Sequence, residues 1–136
     1  MSRARSGGRP RDLGAREPAH ADPVKRDPER ALARLAASLP PGRVSVAEAD
    51  LLAVAQDAWP RHLVLLAHGE AAALPAAVVW PETAQEVQLV VVAARELGLS
   101  LVPVGGGSSV VGGATPAPGQ VVLDLKRMQR VLDIDG

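Results

Sequence analysis

The chain contains no cysteine, no phenylalanine and no tyrosine, and its aromatic residues are Trp59 and Trp80. Without cysteine there is no disulfide framework, no thiolate metal site and no cysteine nucleophile. Without large aromatic anchors the core must be built from Ala, Val and Leu, which supply most of the 47% hydrophobic content. Such a core, in 136 residues with room for one domain at most, is expected to be weakly stabilised in isolation. The formal net charge is zero, so the basic surface of a general nucleic-acid binder is missing. No run approaches the ~18 apolar residues of a membrane span. The basic start, MSRARSGGRPRD, has no apolar stretch and is not a secretory signal, and Gly7, Gly8 and Pro10 interrupt any transit-peptide helix. The cytoplasm is the expected location. His62 and His68 have no acidic residue between them and match no zinc spacing; with His20 they read as surface or helix-end histidines.

Residues 1–27 are rich in Arg, Gly, Pro and Asp, cannot bury enough surface to offset ordering, and are expected to be a disordered lead-in. Residues 28–73 form an expected helical segment. Asp27-Pro28 gives an N-cap and a proline at the first helical position, for a helix to about Ser38 ended by Pro40-Pro41-Gly42. Ser45-Val46-Ala47-Glu48 has the spacing of a capping box, predicting a second helix across Leu51, Leu52 and Ala55, stopped or bent by Pro60. Arg61–Ala67 predicts one or two more helical turns closed by Gly69. None of these elements carries a catalytic constellation.

From residue 74 the pattern changes to α/β. Ala76–Trp80 predicts a buried strand. Thr83-x-x-Glu86 is a further capping box, and Gly98 closes a 14-residue helix from Ala84 to Leu97. On that helix Val87, Val90, Val91, Ala94 and Leu97 share the predicted buried face, with Leu89 and Val92 intruding on the polar side. Leu101–Val104 completes a βαβ unit. Two more strands, Gln120–Leu125 and Val131–Ile134, are predicted around a turn at Lys126–Gln129.

The candidate site is the loop after Leu101–Val104, with five glycines in the nine residues Gly105–Gly113. Clustered glycines let backbone approach a ligand closely, and successive N–H groups can form an anion-binding nest. No Lys or Arg lies between Arg95 and Lys126, so amides and the hydroxyls of Ser108 and Ser109 must supply the donors. A dinucleotide pyrophosphate fits such a loop. The P-loop pattern is excluded because no Lys follows, and the dinucleotide fingerprint because Val110 stands where its third glycine belongs. A strand–loop–strand nest remains, beside the plainer reading of a glycine-rich turn.

Three ordered blocks carry a resemblance. They are Pro81-Glu82-Thr83-x-x-Glu86-Val87, then Val102-Pro103-x-Gly105 through Gly113, then Leu123-Asp124-Leu125-x-Arg127-Met128-x-x-Val131-Leu132-x-Ile134-Asp135. Together they resemble the FAD-linked oxidases of the vanillyl-alcohol-oxidase and p-cresol-methylhydroxylase type, with the greatest likeness to the glycolate oxidase, D-lactate dehydrogenase and alkyldihydroxyacetonephosphate synthase branches. Asp57-Ala58-Trp59-Pro60 is similar to a segment preceding the flavin domain in some of these.

The resemblance implies that residues 74–136 are the N-terminal part of an FAD-binding domain. Pro103, Gly105, Gly106, Gly107, Ser108 and Ser109 would contact diphosphate or ribose, Val110, Val111, Gly112 and Gly113 would lie along the cofactor, and Val104 belongs to the same cofactor-binding run. Val104 stands where many members carry a polar or basic residue and Ser108 where Thr is frequent, but neither change removes an amide. The loop has no histidine to tether a flavin, so FAD is expected to be held non-covalently. The resemblance also implies that groups facing the flavin ring and the substrate lie beyond Gly136, so no catalytic residue is assigned. The parent would oxidise a small hydroxy-acid-like substrate. Two alternatives stand beside it: an ether-lipid synthase in which FAD exchanges an acyl for an alkyl group, and a non-enzymatic α/β module binding a nucleotide or a partner protein.

Overall fold

The computed structural model describes residues 27–70 and 72–135. The expectation of disorder over residues 1–27 therefore lies outside the described residues, except at Asp27. Asp27 Oδ1 accepts hydrogen bonds from the amides of Glu29 (3.2 Å) and Arg30 (3.3 Å) and opens helix α1, Pro28–Ala37, with proline at its first turn. The cap and proline do what their positions require. Strand β1, Val44–Ser45, follows, then α2, Glu48–Ala53, and α3, Pro60–Ala67.

The capping box expected at Ser45–Glu48 does not form. Ser45 is paired with Val78 in the sheet, and its hydroxyl donates to Asp50 Oδ2 (2.6 Å) while accepting from the Ala47 amide (3.1 Å). Helix α2 starts later, behind Ala47, which offers no side-chain cap. Pro60 neither stops nor bends α2, which ends at Ala53; it is the first residue of α3, the position where a missing N–H costs nothing.

Strand β2, Ala77–Val79, is buried at all three residues. Thr83 caps α4, Ala84–Leu97, by accepting the Glu86 amide (3.1 Å), and Gly98 ends it in the left-handed region at φ 66°. Strands β3, Leu101–Val104, and β4, Val121–Asp124, complete a four-stranded sheet in the order β1-β2-β4-β3. The last three are parallel, and β1 runs antiparallel to β2. So α4 carries the chain from β2 past one strand position, which β4 later fills. A single 3₁₀ turn, Leu125–Arg127, follows β4.

The register aligns Ala77, Val121 and Leu101, then Val78, Val122 and Val102, so side chains alternate between two cores. One face packs Ala77, Val79, Val90, Val121 and Leu123 with Leu35 and Leu39 of the α1 region; the other packs Val78, Val102, Val104 and Val122 with Leu51 and Val54. The sheet thus has helices on both sides, as its unbroken apolar central strands require. On α4 the buried residues are Glu86, Val90 and Ala94, with Val87 and Leu97 partly buried. Val91 is not on that face. It is 49% exposed, beside Leu89 at 48% and Val92 at 49%. Helix α4 meets α1 and the sheet together, which rotates its buried stripe toward Glu86 and away from Val91.

The strand expected at Val131–Ile134 is also absent. Residues 128–135 adopt no regular structure, and Leu132 and Ile134 are each 81% exposed. An alternating pattern forms a strand only where a neighbouring strand receives it, and no described strand does so here.

Candidate functional site

The parallel strands place three chain segments at one end of the sheet: Trp80-Pro81 after β2, Gly105–Gly113 after β3, and Asp124–Arg127 after β4. This is the end at which open α/β sheets bind ligands. Pro103 and Val104 form the last pair of β3, opposite Leu123 and Asp124, so the glycine loop starts directly beside the Asp124 carboxylate. Asp124 is 1% exposed; its Oδ2 accepts from Trp80 Nε1–H (3.1 Å) and faces Lys126 Nζ at 3.1 Å, and its Oδ1 accepts the Lys126 amide (3.0 Å). The guanidinium of Arg127 lies over the Trp80 ring, 4.7 Å from its centre. A cation therefore does sit near the root of the loop, but its charge is met by Asp124.

The loop itself has two unlike halves. A Cβ placed on Gly105, Gly106 or Gly107 meets nothing within 4 Å, so this half of the loop borders open space. In the other half Gly112, at φ 78°, is pressed against the Trp59 ring. His62 Nε2 lies 3.0 Å from Thr115 Oγ1 and 3.2 Å from Asp57 Oδ1. Asp57 Oδ1 also accepts the Trp59 amide (3.1 Å), whereas its Oδ2 is buried with no hydrogen-bond partner among the described residues. Burial pushes the Asp57 carboxyl up. The nearby Ser109 hydroxyl and the amides of Trp59, Ala114 and Gly112 outweigh that and hold it below the ordinary aspartate value.

The start of α4 is closed to a ligand anion. Arg43 holds Glu82 through both terminal nitrogens (2.7 and 2.6 Å) and Glu86 through Nε (3.0 Å), and Glu86 Oε2 accepts the Glu82 amide at 2.7 Å. That amide and then Arg43, against burial, hold Glu86 below the ordinary glutamate value. The helix terminus already has its negative charge. A cleft of about 350 Å³ beside it, between Glu82–Gln85 and residues 127–132, has no glycine-loop residue in its wall.

Of the eleven residues proposed from the sequence, Pro103 and Val104 end β3, and Gly105–Gly113 follow in one continuous segment without helix or further strand. Asp57, His62, Thr115, Asp124 and Lys126, which gather around it, were not singled out for the site. Asp57-Ala58-Trp59-Pro60 was the available signal: an Asp two residues before an amide it can accept, leading into a proline-started helix.

Residues 75–136 match the family model described as an FAD binding domain. Over this segment the chain is similar to FAD binding domains. The chain is 39% identical over 61 residues, 45% of its length, to a D-2-hydroxyglutarate dehydrogenase from Xanthomonas citri pv. viticola. It matches a solved alkyldihydroxyacetonephosphate synthase at TM-score 0.70 and 28% identity over 85% of this chain. It matches p-cresol methylhydroxylase at TM-score 0.63 and 29% identity over 79% of this chain. The chain spans only 13% of the dehydrogenase, 22% of the synthase and 20% of the methylhydroxylase. The sheet and its order agree with the mixed α/β fold of these flavoproteins.

The matching model is that of an FAD binding domain, and the first half of the loop leaves room for a pyrophosphate. Gly105–Gly107 has no side chains and borders open space at the C-terminal end of the parallel strands. Among the described residues no helix is long and apolar enough to cross a membrane.

Proposed function

We propose that this chain is the pyrophosphate-holding segment of a flavin-dependent oxidoreductase that acts on a small 2-hydroxy acid, with FAD held non-covalently. The observation that carries the proposal is the unobstructed run Gly105–Gly107 at the C-terminal end of β3, within the segment that matches the FAD binding domain.

FAD, when bound, supplies the redox-active ring, which receives the substrate's electrons. The residues of this chain bind and orient. Pro103 and Val104 fix where the loop leaves the sheet, anchored by the pairing of β3 with buried β4. Gly105, Gly106, Gly107 and Ser108 direct N–H groups at the diphosphate, and Val110, Val111, Gly112 and Gly113 run along the nucleotide. Asp124 engages Lys126, so hydrogen bonding from fixed amides, rather than a free cation, carries the recognition. No residue of this chain is given a role in bond making.

The hydroxy-acid assignment is supported by the likeness to the D-2-hydroxyglutarate dehydrogenase. A second reading, an alkyldihydroxyacetonephosphate synthase, is supported by a structural match that takes in 85% of the chain. Two experiments on the full-length protein test these readings. Gly106→Val places a branched side chain where phosphate oxygens belong and is expected to abolish bound flavin; a purified variant with full visible flavin absorbance overturns the cradle. Anaerobic addition of D-2-hydroxy acids is expected to bleach the flavin, and absence of bleaching together with turnover of an acyl-dihydroxyacetonephosphate favours the synthase.

A further inference from the structure

The unlike halves of the glycine loop have unlike tasks, a conclusion that rests on the assignment of Gly105–Gly107 to the pyrophosphate. Five glycines in nine residues give a free loop a large conformational space to lose when a ligand orders it. Fixing one arm beforehand reduces that loss and raises affinity without any new ligand contact.

The fixing elements all come from the connection between α2 and α3 and from the first turn of α3. Trp59 packs on Gly112 so closely that no side chain fits between them. His62 joins Asp57 to Thr115 at the far end of the loop. Asp57 is shut off from solvent, with Oδ1 held by Trp59 and His62 and Oδ2 buried without a partner. The Ser109 hydroxyl and the Gly112 and Ala114 amides are near enough to lower that carboxyl's pKa, yet none of them completes a hydrogen bond to Oδ2. A carboxylate accepts at both oxygens and donates nothing, so it suits a site ringed by donors.

We propose that Asp57 is the positioning residue of the cofactor cradle: it holds the Ser109–Thr115 arm so that the Gly105–Ser108 arm presents its amides to the diphosphate. On this reading the Ser109 hydroxyl turns to the unpartnered Oδ2 of Asp57 and is not a phosphate ligand. This separates Ser109 from the group Gly105–Ser108 with which the resemblance places it, and makes the connection before the flavin-binding segment part of the cofactor site.

The test uses the full-length protein, FAD titration of the apoprotein and hydrogen exchange of the peptide spanning residues 105–115. Asp57→Asn keeps the shape but turns an NH₂ toward donors; Ser109→Ala removes the hydroxyl. Each is expected to weaken FAD about tenfold and to speed exchange in that peptide before any FAD is added. The double variant is expected to lose no more than the worse single, because both changes break one interaction. Ser109→Thr, which keeps the hydroxyl, is expected to restore affinity and protection. Additive losses, about a hundredfold in the double variant, would put Ser109 on the phosphate and overturn the proposal. Should Asp57→Asn fail to fold, Ser109→Ala and Ser109→Thr decide alone: lost affinity with faster apoprotein exchange supports positioning, and lost affinity with unchanged exchange overturns it. Gly106→Val separates the two proposals. If it keeps FAD, the cradle itself is wrong; if it loses FAD while Asp57→Asn binds normally, only the positioning role fails.

Discussion

A Cβ added to Gly112 would lie 2.7 Å from Cε3 of Trp59, closer than non-bonded carbons approach. The same residue has φ 78°, where side chains are strained. Gly112→Ala therefore has to move an indole ring and adopt an unfavourable backbone conformation. It is expected to destabilise the protein by about 1–3 kcal/mol, read as a lower denaturation midpoint at unchanged slope.

Gly106→Val should behave differently. Its position has no positive φ and nothing within 4 Å of a Cβ. Apoprotein stability is expected to stay within about 0.5 kcal/mol of the parent, measured by urea denaturation without flavin. A large loss of stability would mean that the half of the loop taken as ligand-facing is packed against protein.

These two glycines mark where sequence reasoning reached and where it stopped. Helix α4 was legible from both ends, because Thr83 and Gly98 act on backbone groups within a few residues of themselves. The buried runs β2 and β4 were legible because their valines have few other places to go. Strand β1 was not: two residues become a strand only because distant β2 pairs with them. The Ser45 hydroxyl took Asp50 as its partner instead of capping a helix. Val91 was misplaced because the buried stripe of α4 is set by α1 and the sheet together, which a single-helix pattern does not contain. Val131–Ile134 has a strand's alternation and no strand to pair with among the described residues. The glycine loop was visible as a cluster of one residue type. Of the brace behind it, the Asp57–Trp59 turn is local, but the contacts of Trp59 with Gly112 and of His62 with Thr115 join segments far apart in the chain, and no local pattern encodes them.

Acid should weaken the fold. Glu86 is held below its ordinary value chiefly by the Glu82 amide and then by Arg43, and Asp57 is also held low against its burial. Carboxylates lowered in the folded state contribute stability that is complete above their unfolded values, about 3.9 for Asp and 4.3 for Glu. That contribution is lost as pH falls through the lower folded values. The melting temperature is expected to be insensitive to these two groups between about pH 5 and 7 and to drop below about pH 4. Arg43→Gln should make the acid decline shallower without removing it, since the Glu82 amide still holds Glu86. Melting curves of both proteins across that range check this, and equal slopes would contradict the role of Arg43.

Leu35 is fully buried on α1, against the face of the sheet that carries Val79 and Val121. With no large aromatic side chain in that cluster to fill a gap, Leu35→Ala should cost about 2–5 kcal/mol. Differential scanning calorimetry and denaturant titration provide the measure. A cost below about 1 kcal/mol would mean that α1 is not integral to the core.

Pro103 stands in β3, the last strand of the sheet on that side among the described residues. A proline has no N–H to give, so an incoming backbone would find a gap in its ladder two residues before the glycines. That flank is thereby guarded against edge-to-edge association, and the glycine loop beside it is spared a sticky border.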